Sequence, residues 1–225
     1  MTQKQILKEV ETSNWQPKFK FTDNLDAVVD SILLPHEDYV LNLHDKVKEI
    51  IEREIEYANQ NHETYSITFA DICNWQKELF EYKVLLWSDL TKLDDEEDFE
   101  VEVCSFPNLY INLGLRSTTV KVGNFTPPHP MFLEDLKVMC FPLKIDSEFL
   151  TLPSVYDNGL INGSKIDDEY FKYWITEWYK IFQTVHYFED LNGRLGGIVI
   201  NILSYILTNK YLINEQYSKK NSRWI

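Results

Sequence analysis

The sequence predicts an all-α fold, a compact helical bundle carrying one small β-hairpin. Three observations lead there. Apolar residues recur three and four apart over several long stretches, the spacing of one buried helix face. Gly (7) and Pro (8) are scarce in a 225-residue chain, which argues against sandwiches and propellers, because those need many turns. One segment, RSTTVKV at 116–122, alternates β-branched and polar residues instead, as a short strand or hairpin arm does. With 44% hydrophobic and 26% charged residues, the chain can bury a sizeable core and is no disordered tail.

In order along the chain, a short apolar-periodic piece covers Leu25–Leu34 and is punctuated by Pro35. Val40, Leu43, Val47, Ile50, Ile51 and Ile55 then mark an amphipathic helix that ends in the Asn59–Asn61 run. Another helix is expected to begin near Thr68, with Asp71 in capping-box position, and to carry Ile72, Trp75, Leu79 and Phe80. The acidic run Asp94–Glu102 reads as a solvated loop. Pro127, Pro128 and Pro130 end any strand at 116–122, since proline cannot donate to a ladder. MFLEDLKVMCFPL resumes helical spacing, and a loop is centred on DNGLINGS. A long aromatic-rich helix starts near Asp167–Asp168 and stops at EDLNG. A further helix opens near Asn192 and carries Ile198–Leu207, interrupted by Asn201 and Ser204. The chain divides into an N-terminal helical extension, 1–60, and a main domain, 61–225, joined as one compact unit.

Composition excludes several functions. Asp and Glu outnumber Lys and Arg by 36 to 22, giving a net charge of −14, which repels phosphate backbones and anionic membranes at long range. No nucleic-acid or membrane partner is expected. The longest apolar run is too short to span a bilayer. Cys73, Cys104 and Cys140 lack paired spacing and read as thiols of a reducing compartment. Five histidines without HExxH spacing give no transition-metal site. MTQKQILKEVETSNW has no apolar core of a secretory signal, so a cytoplasmic location is expected, or a host cell's cytoplasm for a delivered effector.

The chemistry concentrates in HYFEDLNGR. His186 ends one helix, and Asn192 and Gly193 open the next. The loop between them folds the histidine back beside a helix N-terminus, whose unpaired N–H groups and partial positive charge suit an anion. Gly193 allows close approach to the backbone. Arg194 is badly placed for the helix dipole, a local cost that a phosphate would offset. Asp190 beside a phosphate is a natural one-carboxylate Mg²⁺ ligand. His186 is within reach to act as base for an attacking hydroxyl. Nucleotidyl or phosphoryl transfer follows from this set.

The stretch resembles the Fic motif H-P-F-x-D/E-G-N-G-R-x-x-R of the Fic/Doc (Fido) family. Phe182 stands as the aromatic before the loop. Arg116, Val120 and Val122, followed by Pro127, Pro128 and Met131, resemble that family's β-hairpin flap, and Trp75–Gln76 stands where it often has Leu-His. The resemblance covers roughly Ser66 to Ile213. It implies a compact Fic-type helical bundle with a flap, binding of ATP with Mg²⁺, and transfer of AMP to a Ser, Thr or Tyr hydroxyl of a target protein. It implies His186 as the catalytic base and Asp190 as the metal ligand. Leu191, Asn192, Gly193 and Arg194 would cradle the phosphates, and Phe188 would anchor the loop. Thr118, Thr119, Val120 and Val122 would form the flap that docks the target by β-augmentation.

Three positions depart from the motif. Tyr187 replaces Pro, Leu191 replaces Gly, and Gly197 replaces the second Arg, which grips the distal phosphates in AMP-transferring members. If position 191 needs a positive φ, a leucine there costs about 1 kcal/mol or more. If the missing grip is what limits transfer, Gly197→Arg is expected to raise it. Members of the Doc type also lack that arginine and are kinases. No [S/T]-x-x-x-E-[G/N] inhibitory motif occurs, consistent with there being no second arginine to occupy. The expectation is a protein AMP transferase weakened by Leu191 and Gly197. The alternatives are a degenerate Fic fold kept for binding and a Doc-like phosphotransferase. The target and the oligomeric state stay open.

Overall fold

A computed structural model describes residues 1–33, 43–61, 64–80, 114–123, 125–146, 149–151, 160–162 and 168–215. The expectations at Leu34, Pro35, Val40, Asp94–Glu102, Cys104 and Asp167 lie outside the described residues. The fold is mostly helical with two small antiparallel sheets.

α1 (Gln3–Thr12) opens with a capping box in which Thr2 and Gln5 satisfy each other's backbone. α2 (Leu25–Leu33) and α3 (Leu43–Gln60) follow the predicted periodicity. α4 covers 69–80, and Asp71 accepts from both the Thr68 amide (2.7 Å) and hydroxyl (2.6 Å) at its start. After two short 3₁₀ turns flanking α5 (Leu133–Leu136) come α6 (Asp168–Val185) and α7 (Asn192–Thr208).

The centre of the core is α7. It packs against α2, α3 and α6, and Leu195, Ile198, Val199, Ile202 and Leu203 have no solvent exposure. Burying each such side chain stabilises by about 1.5–3 kcal/mol as an upper bound. The hydrophobic cluster is continuous from Ile6 and Val10 of α1, through α2 and α3, to α6 and α7. Among the described residues no helix is long and apolar enough to cross a membrane. The two polar interruptions of the apolar run have structural roles. Asn201 donates to the Gly197 carbonyl and accepts from the Leu212 amide, and Ser204 donates to the Lys210 carbonyl. Both fasten the turn after α7.

The sheets correct the expectation of a single hairpin at 116–122. β1 (Phe19–Thr22) pairs with β6 (Tyr211–Asn214), joining the two ends of the described chain. β2 (Tyr65–Ile67), β3 (Leu143–Asp146), β4 (Phe149–Thr151) and β5 (Leu160–Asn162) form a four-stranded sheet in that order. Leu160–Asn162, expected as loop, is thus a strand. MFLEDLKVMCFPL, expected as one helix, is short turns of helix ending at Cys140, and Leu143 already belongs to β3. Residues 116–121 form no strand. An isolated bridge from Val122 to Phe125 is the pairing there, with Gly123 at φ +58° making the turn. The reason lies at Arg116, whose amide donates to the Tyr187 carbonyl at 2.9 Å. That backbone group is committed to the loop before α7 instead of to a hairpin partner.

Candidate active site

The segment from His186 to Arg194 is a tight, strained loop between α6 and α7. The His186 amide closes the last turn of α6 by donating to the Phe182 carbonyl (3.1 Å), and the residue itself turns left-handed at φ +53°. Leu191 is left-handed too, at φ +72°, and forms the N-cap position of α7. A left-handed leucine costs about 1–2 kcal/mol. Leu191 is only 3% exposed, and burial of its side chain offsets that cost.

Inside the loop Asn192 acts as a staple. Its side-chain oxygen accepts from the Phe188 amide (3.0 Å) and its amide nitrogen donates to the Phe188 carbonyl (2.8 Å). Both polar atoms of a 2%-exposed side chain are therefore used to close the loop, so Asn192 offers its backbone amide, not its side chain, to a ligand. Gln183 of α6 adds a third tie, donating to the Asn192 carbonyl at 3.0 Å. Phe188 is fully buried and stacks on Phe69 of α4, centroids 5.4 Å apart and planes 3° from parallel. Tyr187, in the motif's proline position, is also buried and donates its hydroxyl to the Leu136 carbonyl at 2.8 Å.

Arg116 holds this loop from the other side. The residue is 2% exposed, and its guanidinium donates to three backbone carbonyls: His186 (2.7 Å), Thr118 (2.8 Å) and Pro128. Thr118 adds a hydroxyl bond to the Glu189 carboxylate at 3.2 Å. Arg116, Thr118 and Pro128 are thereby tied to the loop, with Thr118, Thr119 and Val122 exposed and Val120 half-buried. Burial, and then the Arg116 charge, pull the His186 pKa from 6.5 down to about 4, against weaker opposing effects of the Gln183 backbone and Asp190. His186 is neutral at pH 7 and so able to take a proton.

The start of α7 gathers groups of the kind that an anion could engage. The amides of Asn192, Gly193 and Arg194 have no acceptor among the described residues, as expected of a helix's first turn. The Leu191 amide, in contrast, is taken by the Asp190 carboxylate at 2.7 Å. Gly193 is exposed, and a β-carbon added there would meet nothing within 4 Å. Arg194 is 3% exposed, yet its Nε and Nη1 have no hydrogen-bond partner among the described residues. Its nearest carboxylate oxygen, from Asp190, is 3.7 Å from Nη1. Burial lowers the Arg194 pKa and Asp190 works against this. A buried, charged and under-bonded guanidinium is costly unless an anion completes it.

Among the described residues no three His, Cys, Asp or Glu side chains cluster in a metal-binding group. Asp190 is one carboxylate, enough for Mg²⁺ only when phosphate oxygens supply other positions.

Gly197 is explained by packing. A β-carbon there would lie 2.8 Å from Ile32 Cγ1 of α2, so the residue is a contact point between α7 and α2. An arginine at 197 would therefore have to displace Ile32 of α2, which works against the expectation that Gly197→Arg raises transfer by restoring a phosphate grip. Gly196 likewise admits the Tyr179 ring and Gln183, which would lie 2.7 and 2.9 Å from a β-carbon added there. Sequence reading missed the loop-closing roles of Gln183 and Asn192 and the contact from Ile32. Only Arg116 carried a signal, as the first residue of the flap pattern.

No family model, no curated protein and no solved structure matches the chain.

Proposed function

We propose that the protein is a Fic-like transferase that moves AMP from ATP to a hydroxyl of a target protein. The observation that supports it most is Arg194: a buried guanidinium with two unsatisfied nitrogens, beside three unpaired amides and an exposed glycine. That set fits a phosphate group. Asp190, 42% exposed on its side chain, would hold Mg²⁺ together with the phosphates. ATP with Mg²⁺ would supply the activated α-phosphate, whose bond to the β-phosphate oxygen would break as the hydroxyl oxygen bonds to it, with pyrophosphate as the leaving group.

The chain's own residues do the rest. His186, neutral through burial and Arg116, accepts the proton of the attacking hydroxyl at a ring nitrogen. The amides of Asn192, Gly193 and Arg194, with the Arg194 guanidinium, stabilise negative charge on the phosphate. Phe188 and Asn192 hold the loop rigid, so little reorganisation is needed. Residues 119–121, whose backbone groups make no hydrogen bond among the described residues, would present backbone to a target segment between Thr118 and Val122. A cytoplasmic compartment, which contains ATP, suits this reaction.

One observation favours a second reading. Ile32 fills the side of α7 where a second phosphate-gripping arginine would stand, as suits a Doc-like transfer of the γ-phosphate. Purified protein and a cell lysate with Mg²⁺ and ATP labelled at the α- or the γ-phosphate separate the two. Label from the α-position that vanishes in His186→Ala supports AMP transfer. Label from the γ-position alone replaces it with phosphoryl transfer. No label from either sinks both and leaves the fold as a binding module.

A further inference from the structure

At the opposite end of α7, about 25 Å from the loop by helix length, lies a groove independent of the reaction proposed above. Two contiguous depressions, of about 370 and 340 Å³, share Glu52, Tyr205 and Tyr211. Glu56 lines the first, and Asp23 and Asn209 line the second. We propose that this groove docks a basic segment of a partner protein, with one arginine side chain in each depression.

Four features point to a cation. Tyr205 and Tyr211 stack with centroids 4.5 Å apart and planes at 27°, a π surface between the two depressions. Glu52 and Asp23 make no hydrogen bond or ion pair among the described residues, so their carboxylates are available. The last turn of α7 contains no basic residue, and its C-cap residue Asn209 lines the second depression. Tyr211 lines both depressions, and its hydroxyl opens to solvent and makes no hydrogen bond among the described residues. A guanidinium N–H would satisfy that oxygen. The negative surroundings also register in Tyr211, whose pKa is pushed up to about 12 by burial first and then by Tyr205 and Glu52.

Lys48, the cation that lines the second depression, does not occupy it. Its Nζ lies 2.8 Å from Asp26 Oδ1 and is held in that pair. Arginine fits better than lysine, because its planar fork can lie on a tyrosine face while meeting a carboxylate edge-on. A net charge of −14 steers such a segment toward the surface. A protein segment is the occupant, because two adjoining depressions share one glutamate and suit two side chains projecting from one backbone.

The test is an NMR titration of the full ¹⁵N-labelled chain at low salt. The probe is a Gly/Ser peptide carrying Arg-Ser-Arg. Backbone signals of Glu52, Tyr205, Asn209 and Tyr211 should move together and saturate with a Kd on the order of a millimolar or below. The same peptide with citrulline in place of arginine should shift nothing, and Glu52→Gln should weaken binding about fivefold or more. Glu52 is exposed, so that variant keeps the fold, checked by unchanged signals of the His186 loop. Equal binding of the citrulline peptide, or shifts elsewhere only, overturns the proposal. Spermidine binding as tightly as the peptide overturns the protein-segment assignment in favour of a small polyamine site.

Discussion

Replacing Arg194 by methionine should stabilise the free protein while destroying its affinity for phosphate. Arg194 has 4% side-chain exposure, and its Nε and Nη1 have no hydrogen-bond partner among the described residues. Leaving such groups buried and unbonded costs about 1–3 kcal/mol. Methionine has a similar length, no polar atoms and the flexibility to fill the same space. The loss on the other side is the Asp190 pair, 3.7 Å long and with its carboxylate 42% exposed, which is worth at most about 1 kcal/mol. The helix start also loses a wrongly signed charge, a gain of about a few tenths of a kcal/mol. The balance is a net gain of about 1–2 kcal/mol. In a chain of this size that raises Tm by roughly 2–8 °C. Differential scanning fluorimetry with and without Mg²⁺-ATP reads both effects. Arg194→Met should melt higher than wild type and show no ligand-induced rise. A variant that melts several degrees lower would mean that the guanidinium is already satisfied in solution and needs no anion.

Three other outcomes follow from the same geometry. Gly197→Ala should cost about 1 kcal/mol in urea unfolding, because displacement of the stiff Ile32 side chain, 2.8 Å from the new β-carbon, outweighs the helix-propensity gain of about 1 kcal/mol; a stabilised Gly197→Ala would refute the tight α2–α7 contact. Arg116→Gln should cost about 3–5 kcal/mol, since three buried carbonyls lose a charged donor, and Arg116→Lys should recover little of it; full recovery by lysine would show that charge alone matters. His186 is held with a folded pKa below its unfolded one, so the unfolded chain binds the extra proton first. Stability should be level above about pH 6.5 and fall by up to about 3 kcal/mol as pH drops from 6.5 to about 4, a slope that His186→Ala should lack.

The helical part of the fold was legible because its signal is local. The spacing of Val47, Ile50, Ile51 and Ile55 marks one face of α3, and Thr68 with Asp71 announces α4. The sheets were not, because β2, β4 and β5 are three residues long, and β2 pairs with a strand far away in sequence. Three residues carry no periodicity to read. RSTTVKV had the right pattern for a strand, but Arg116 commits the local backbone to Tyr187, a contact that only the fold creates.

The site divides in the same way. His186, Asp190, Gly193 and Arg194 suggested a base, a carboxylate and an anion cradle because they lie in one continuous stretch, and that stretch is the loop leading into α7. The strain of a leucine at 191 was foreseeable from the residue type, and its φ is +72°. What no spacing could reveal is that Asn192 uses its side chain to hold Phe188, and that Ile32, from a helix far earlier in the chain, fills the place beside Gly197.

The most direct measurement is a titration of the ¹⁵N-labelled chain with Mg²⁺ and a non-hydrolysable ATP analogue, following the backbone amides of α7's first turn and the Arg194 Nε–H signal. Saturable shifts are expected at Asn192, Gly193 and Arg194, with the Nε–H moving into hydrogen-bonded range. A saturating ligand that leaves those signals in place would contradict a phosphate site at the start of α7.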